Sequence, residues 1–244
     1  MSTIMITGAS RGIGAATAIY AAASGKYRRL IITGFNNQDK LLSVRDEIMD
    51  KQVYGEDFEC LSYIGDVGDI SFIESIYQEA GSVDVLINNA AISYTGLLID
   101  MSPAEWQNIL STNISSLYNT CHTFAPDMIR RKSGRIINIS SVWGERGASC
   151  EVAYSATKGA VNSFTRALAK ELAPSNIQVN AISFGMVDTD MNSNLTAEDI
   201  EAIREDIPAG YVLSPSEAAE AIMKIVNMPD YLNGQIITVD GCWM

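Results

Sequence analysis

Short apolar runs alternate with longer helix-like stretches along the whole chain. Thr3 to Thr7, Leu30 to Thr33, Phe58 to Ile64, Val83 to Ile87, Ile136 to Ile139 and Ile177 to Ser183 are compact and rich in Ile, Val and Leu, and Gly234 to Asp240 contains a last such run. Runs of this length bounded by turn residues predict buried strands. Between them, a helix is expected from the turn Gly8 to Gly14 through about Ser24. Others are expected over Pro103 to Lys132, Val152 to Ala173 and Thr196 to Asp206, and from Ser214-Pro215 onward. Strand and helix signals in alternation predict one α/β domain over residues 1–244. No linker and no repeat of solenoid period interrupts the pattern.

Composition narrows the partners. With 244 residues, 47% of them hydrophobic, the chain can bury a full core. Its formal charge of −12 argues against nucleic acid, which demands a basic footprint, and against an anionic membrane surface. Met1-Ser2-Thr3 leads straight into the first apolar run without a signal-peptide pattern, and no run of about 18 apolar residues could span a bilayer. A cytoplasmic protein is expected. Cys60, Cys121, Cys150 and Cys242 are too scattered for a disulfide framework or a zinc site, and the single histidine, His122, cannot build a two-histidine metal site. No metal is expected.

The candidate chemistry begins at Gly8-Ala9-Ser10-Arg11-Gly12-Ile13-Gly14. Glycines at a strand-to-helix turn let backbone N–H groups approach a pyrophosphate, beside the partial positive charge of a helix N-terminus. The same residues match G-x-S-x-G, a hydrolase elbow with Ser10 as nucleophile, but such an enzyme needs a histidine late in the chain, and nothing after His122 supplies one. The second run ends at Gly34-Phe35-Asn36-Asn37, where an NAD enzyme presents an acid to the ribose 2′-hydroxyl. Gly34 stands in place of that acid and Arg11 is a nearby cation, so NADP(H) is favoured, with NAD(H) as the alternative; Arg11 could equally be a solvated loop charge. Asn36 and Asn37 could add neutral hydrogen bonds. Asp66, before Val67, is placed either to accept from an adenine amino group or to cap the next helix. Asn88-Asn89-Ala90-Ala91 follows the fourth run with room for a ribose, and Asn113, unfavourable inside a helix, suggests a polar task. Ser141 ends the fifth run. Tyr154 and Lys158, four apart, share a helix face, so a hydroxyl, a phenol and an ammonium could meet.

Four motifs in order resemble the short-chain dehydrogenase/reductase family: Thr7-Gly8-x-x-x-Gly12-Ile13-Gly14, Asn88-Asn89-Ala90, Ser141 thirteen residues before Tyr154, and Tyr154-x-x-x-Lys158. The resemblance implies a Rossmann-type, doubly wound parallel sheet of about seven strands with helices on both faces. It also implies a catalytic tetrad of Asn113, Ser141, Tyr154 and Lys158 acting on a ketone with a nicotinamide cofactor. Cofactor contacts are expected at Gly8, Ser10, Arg11, Gly12, Ile13, Gly14, Asn36, Asp66, Val67, Asn89, Ala90, Tyr154, Lys158, Val187 and Thr189. Lys158 would hold the nicotinamide ribose hydroxyls, and Asn113 a water leading to it. Tyr154 would donate the proton. Lowering its pKa from about 10 by about three units takes about 4 kcal/mol, roughly what a cation ~4 Å away supplies at an effective dielectric of ~20.

Departures from the family pattern are Ala91 for a glycine, Phe184 for the proline of Pro-Gly, and Phe35 where NADP-binding relatives often carry an arginine. The chain resembles 3-oxoacyl-[acyl-carrier-protein] reductases broadly, and Arg130-Arg131-Lys132 with Arg135 could receive an acidic carrier protein. They could also simply complement a helix dipole. The stretch Trp143 to Ala156 more locally resembles elongation factor P 5-aminopentanone reductases. Their substrate is an amine-bearing ketone on a lysine of elongation factor P, and Glu145 and Glu151 could attract its ammonium or be solvated loop carboxylates. The family implies a homo-oligomer, a tetramer or dimer.

Overall fold

The computed structural model describes residues 2–193 and 195–244. Seven strands form one parallel sheet: β1 (Thr3–Ile6), β2 (Arg29–Gly34), β3 (Glu59–Ile64), β4 (Val85–Asn88), β5 (Gly134–Ser141), β6 (Ile177–Phe184) and β7 (Ile236–Val239). Their order is β3-β2-β1-β4-β5-β6-β7. The direction of winding reverses between β1 and β4, which opens a crevice at their carboxyl ends.

Successive side chains of a strand point to opposite faces, and both faces are covered. Ile4 and Ile6 of β1 and Leu30 and Ile32 of β2 join a core with α1 (Gly12–Ala23), α2 (Gln38–Lys51) and α9 (Pro215–Val226). Met5 and Ile31, one residue out of step, join a second core with α3 (Ile70–Ala80), α5 (Ser116–Arg131) and α7 (Val152–Leu172). The sheet is thus doubly wound. His122 on α5 and Ser10 before α1 belong to opposite faces, which removes the hydrolase reading.

Pro103 to Lys132 is not one helix. α4 (Pro103–Leu110) starts with a capping box between Ser102 and Glu105, then Ser111–Ser115 widens into a π turn before α5 begins. Asn113 lies in that turn. Lys132 ends α5 in the left-handed region at φ 52°. A short α6 (Trp143–Arg146) lies between β5 and α7, and α8 (Ala197–Asp206) opens on a Thr196–Asp199 capping box. All four cysteines are free, no metal-binding cluster occurs among the described residues, and no helix among them is long and apolar enough to cross a membrane.

Candidate active site

The carboxyl end of β1 is fastened to its neighbours. Ala9 N–H donates to the Thr33 carbonyl at 2.7 Å, and the Thr7 hydroxyl oxygen accepts from the N–H groups of Asn89 and Ala90 at 3.0 and 3.1 Å. The Asn89 amide donates to the carbonyls of Thr7 and Gly8 at 2.9 and 3.0 Å, so this side chain braces the glycine turn. Gly14 faces the same brace. A Cβ there would lie 2.3 Å from the Gly8 carbonyl oxygen and 2.5 Å from Asn89 Nδ2, so only glycine lets the first turn of α1 pack this closely. Gly8, Ser10, Gly12 and Ile13 complete a strand–turn–helix between β1 and α1 at the crevice end of the sheet.

Around this turn, Gly34 ends β2, and a Cβ on it would meet Ile64, Leu41 and Ser10 rather than any charged group. Asn36 and Phe35 are exposed, while Asn37 caps α2 by accepting from Lys40 N–H at 2.9 Å. Asp66 does not cap α3, because Asp69 does. Asp66 Oδ1 instead accepts from Gly68 N–H at 2.7 Å and so shapes the turn holding Val67. Arg11 is not solvated alone. Its guanidinium and the Lys40 ammonium both reach Asp190, at 3.4 and 3.2 Å. Lys40 and Asp190 sit in no motif, and only the fold brings them to Arg11.

Ser141, the last residue of β5, accepts from Trp143 N–H at 3.3 Å, which turns the chain into α6. Gly144 makes this turn fit, since a Cβ there would lie 2.6 Å from the Lys158 carbonyl carbon. Tyr154 and Lys158 project from α7 and are 8% and 3% exposed. The Lys158 ammonium donates to the Ile139 carbonyl at 2.7 Å and lies 5.5 Å from the centre of the Tyr154 ring. Asn113 meets the same helix from the other side. Its Oδ1 accepts from Ile92 N–H at 2.9 Å, and its Nδ2 donates to the Ile92 carbonyl at 2.9 Å and to Thr157 Oγ1 at 3.0 Å. A π turn carrying a buried polar residue beside a candidate site is a recurring use of that irregularity. All four tetrad candidates therefore converge at the carboxyl end of the sheet.

Electrostatics here differ from the sequence expectation. Burial pushes the Tyr154 phenol above its usual value, the negative charge of Glu151 adds to the rise, and a hydrogen-bonding contact with Ser141 pulls it back. Burial also brings the Lys158 ammonium down to about 8. In the chain by itself Tyr154 firmly keeps its proton, and Lys158 is mostly charged at neutral pH. The lowering expected from the Tyr154–Lys158 spacing is absent from the chain by itself, where burial dominates the shift of each group.

An apolar wall lies beside Tyr154, which with Ile109 and Ala153 forms a small core against which Ile92, Tyr94, Met101 and Trp143 pack, and Trp243 meets Trp143 edge-on with ring centres 5.2 Å apart. Tyr94 and Trp243 carried no sequence signal, because nothing local places them near residue 154. Glu151 is half-buried beside this wall, and burial raises its carboxyl pKa; Glu145 is exposed. Phe184, in place of a proline, ends β6 as a buried sheet residue between Ser141 and Val239. Val187 bridges to Leu213, and Thr189 lies against Gly12.

The basic cluster fares differently. Arg135 is the second residue of β5 and Ser141 its last, so the cluster sits about 20 Å away at the opposite end of the strand, at ~3.3 Å per residue. Arg130 pairs with Asp127, Arg131 with Asp84, and Arg135 with Asp230 at 2.5 Å. These charges are answered within the chain, far from the site.

Comparison with known proteins agrees with this geometry. Residues 2–200 match the family model described as short chain dehydrogenase. The chain is 38% identical over 244 residues to an uncharacterized oxidoreductase, YmfI, of Bacillus subtilis, covering 99% of this chain and 98% of that protein. It is 35% identical over 241 residues to the 3-oxoacyl-[acyl-carrier-protein] reductase FabG of Aquifex aeolicus, covering 97% and 95%. Among solved structures, a 3-oxoacyl-[acyl-carrier protein] reductase from Brucella melitensis superposes with a TM-score of 0.90 at 26% identity over 100% of this chain and 91% of that one. A putative gluconate dehydrogenase from Agrobacterium tumefaciens gives 0.88 at 32% identity over 99% and 95%. On sequence and fold together, the chain belongs to the short-chain dehydrogenase family of oxidoreductases.

Proposed function

We propose that the chain is an NADPH-dependent reductase of a ketone. The observation that carries this reading is the meeting of Ser141, Tyr154 and Lys158 beside a glycine turn built for close backbone approach. The cradle at Gly8 and Gly14 and the cation pair Arg11 and Lys40 fit a dinucleotide with a 2′-phosphate. Ser10, Gly12, Ile13 and Thr189 would hold its phosphates, Asn36 the adenosine ribose, and Asp66 and Val67 the adenine. Asn89 and Ala90 would leave room for the ribose, and Val187 would meet the carboxamide.

A bound nicotinamide supplies a hydride to the carbonyl carbon. Tyr154 O–H donates its proton to the carbonyl oxygen, which converts C=O into CH–OH, and Ser141 O–H orients that oxygen. The Lys158 ammonium would hold the cofactor ribose hydroxyls and stabilise the phenolate left on Tyr154. Asn113 would be a positioning residue, acting through Thr157 and the Ile92 backbone and supporting a water that leads to Lys158.

The names of the Aquifex and Brucella relatives suggest a 3-oxoacyl chain on acyl carrier protein. The ion-paired cluster at the far end of β5 gives that partner little purchase near the site. A specific observation favours the second reading, the amine-bearing ketone of elongation factor P. Glu151 is half-buried and close enough for its charge to act on Tyr154, where it would pair with an ammonium and gain nothing from an acyl chain. Exposed Leu97, Leu98, Ile99 and Tyr118 support a homo-oligomer.

The test is NADPH oxidation with acetoacetyl carrier protein and with ketone-bearing elongation factor P, for the parent and Glu151→Gln. Turnover of the amine-bearing ketone, with its KM raised about tenfold in Glu151→Gln, is expected. Preference for the acetoacetyl carrier, unaffected by Glu151→Gln, would establish the first reading instead.

A further inference from the structure

Three charged side chains from three separate elements share one atom. Asp190 Oδ2, in the connection from β6 to α8, accepts from Lys40 Nζ in the first turn of α2 and from Arg11 Nη1 in the glycine turn. Two cations on one carboxylate oxygen form an anion site that already holds an anion. Its position narrows which anion it suits. Arg11 is the N-cap of α1, and Lys40 lies three residues past Asn37, the N-cap of α2. Both stand at the carboxyl ends of β1 and β2, where a dinucleotide fold receives the adenosine ribose. Gly34 contributes no competing carboxylate there. The residue before Asp190 touches the phosphate turn as well, because a Cβ on Gly12 would lie 3.2 Å from Thr189 Cγ2.

We propose that Asp190 is an internal stand-in for the 2′-phosphate of NADP(H), holding Arg11 and Lys40 until the cofactor displaces it, and that Lys40 is a second residue determining cofactor specificity. The proposal rests on the NADP(H) reading above. A phosphate monoester outcompetes the carboxylate because it carries nearly two charges and three acceptor oxygens, against the single oxygen that Asp190 offers. The three side chains are about half exposed, between 51% and 62%, so solvent screens the Asp190 pairs and the exchange is readily reversible. An NAD-type cofactor has no group that can displace Asp190.

Calorimetric titration with 2′,5′-ADP and with 5′-AMP tests this without turnover, since the two probes differ only at the 2′-phosphate. The parent chain should prefer 2′,5′-ADP. Asp190→Asn should bind 2′,5′-ADP about two- to fivefold more tightly, and 5′-AMP as before. Lys40→Met should weaken 2′,5′-ADP about tenfold and leave 5′-AMP alone. Unchanged or weaker 2′,5′-ADP binding in Asp190→Asn overturns the stand-in, and unchanged binding in Lys40→Met overturns the specificity role. A parent chain that does not distinguish the probes overturns the NADP(H) reading itself, an outcome separate from the other two.

Discussion

Replacing Asn113 by Ala removes the clamp between the residue after Ala91 and the helix carrying Tyr154. Three hydrogen bonds go, two to the Ile92 backbone and one to Thr157. They are not equal. Thr157 Oγ1 still donates to the Tyr154 carbonyl at 2.8 Å, so it loses an incoming donor only. Ile92 N–H loses its acceptor at a partly buried position, which costs about 1–3 kcal/mol, and the other two bonds add about 0.5–1.5 kcal/mol each. A total of about 2–6 kcal/mol is expected, or a fall in Tm of roughly 4–24 °C at ~2–4 °C per kcal/mol for a chain of this size. Urea unfolding measures the loss as a lower midpoint at unchanged slope. In a double-mutant cycle with Thr157→Val, the two sites should couple by about 0.5–1.5 kcal/mol. Activity should fall at least about tenfold at 25 °C, where the variant is still folded, because a small misplacement of the site is expensive. A stability loss below about 1 kcal/mol, with no coupling to Thr157, would refute the clamp.

Gly14→Ala brings a methyl into backbone at Gly8 and into the Asn89 amide, so the turn must shift. It should lose about 1–3 kcal/mol of stability, and NADPH should bind more than tenfold more weakly by fluorescence titration; unchanged affinity would contradict the cradle. Burial lowers Lys158 from 10.5 to about 8, so the unfolded chain binds more protons between those values and folding stability gains as pH rises through that window. Lys158→Met removes the gain. Its stability relative to the parent, followed by urea unfolding from pH 7 to 9.5, should therefore decline by up to roughly 2 kcal/mol, and a flat difference would show that Lys158 is not desolvated.

The seven strands were legible because each is an apolar run between turn residues, and their ends moved by one or two positions only. Asn88, for instance, extends β4, because its side chain is satisfied inside the fold by Asn138 and Thr120. The break at Ser111–Ser115 was not legible, since a π turn changes the hydrogen-bond step without changing residue type. α2 gave a weak signal, with only Leu41, Val44 and Ile48 buried. Within the site, Ser141, Tyr154 and Lys158 stood out through motif spacing, which reports a shared helix face or strand tip, and Asn113 as a residue unfavourable inside a helix. Lys40, Asp190, Tyr94 and Trp243 did not, because they meet the site only through chain crossings. Desolvation of Tyr154 and Lys158 was also hidden, as it depends on what packs around them. The basic cluster at Arg130 to Arg135 is contiguous in sequence, and only the fold shows that it lies at the opposite end of β5 from Ser141.

The central claim is that Tyr154 donates the proton in a hydride transfer to a ketone. Tyr154→Phe keeps the ring and its place in the small core with Ile109 and Ala153 while deleting one hydroxyl. The decisive measurement is NADPH oxidation by this variant with a ketone that the parent reduces, alongside its NADPH affinity. The account predicts a loss of turnover of at least about a hundredfold with affinity essentially unchanged. Turnover equal to that of the parent would contradict it.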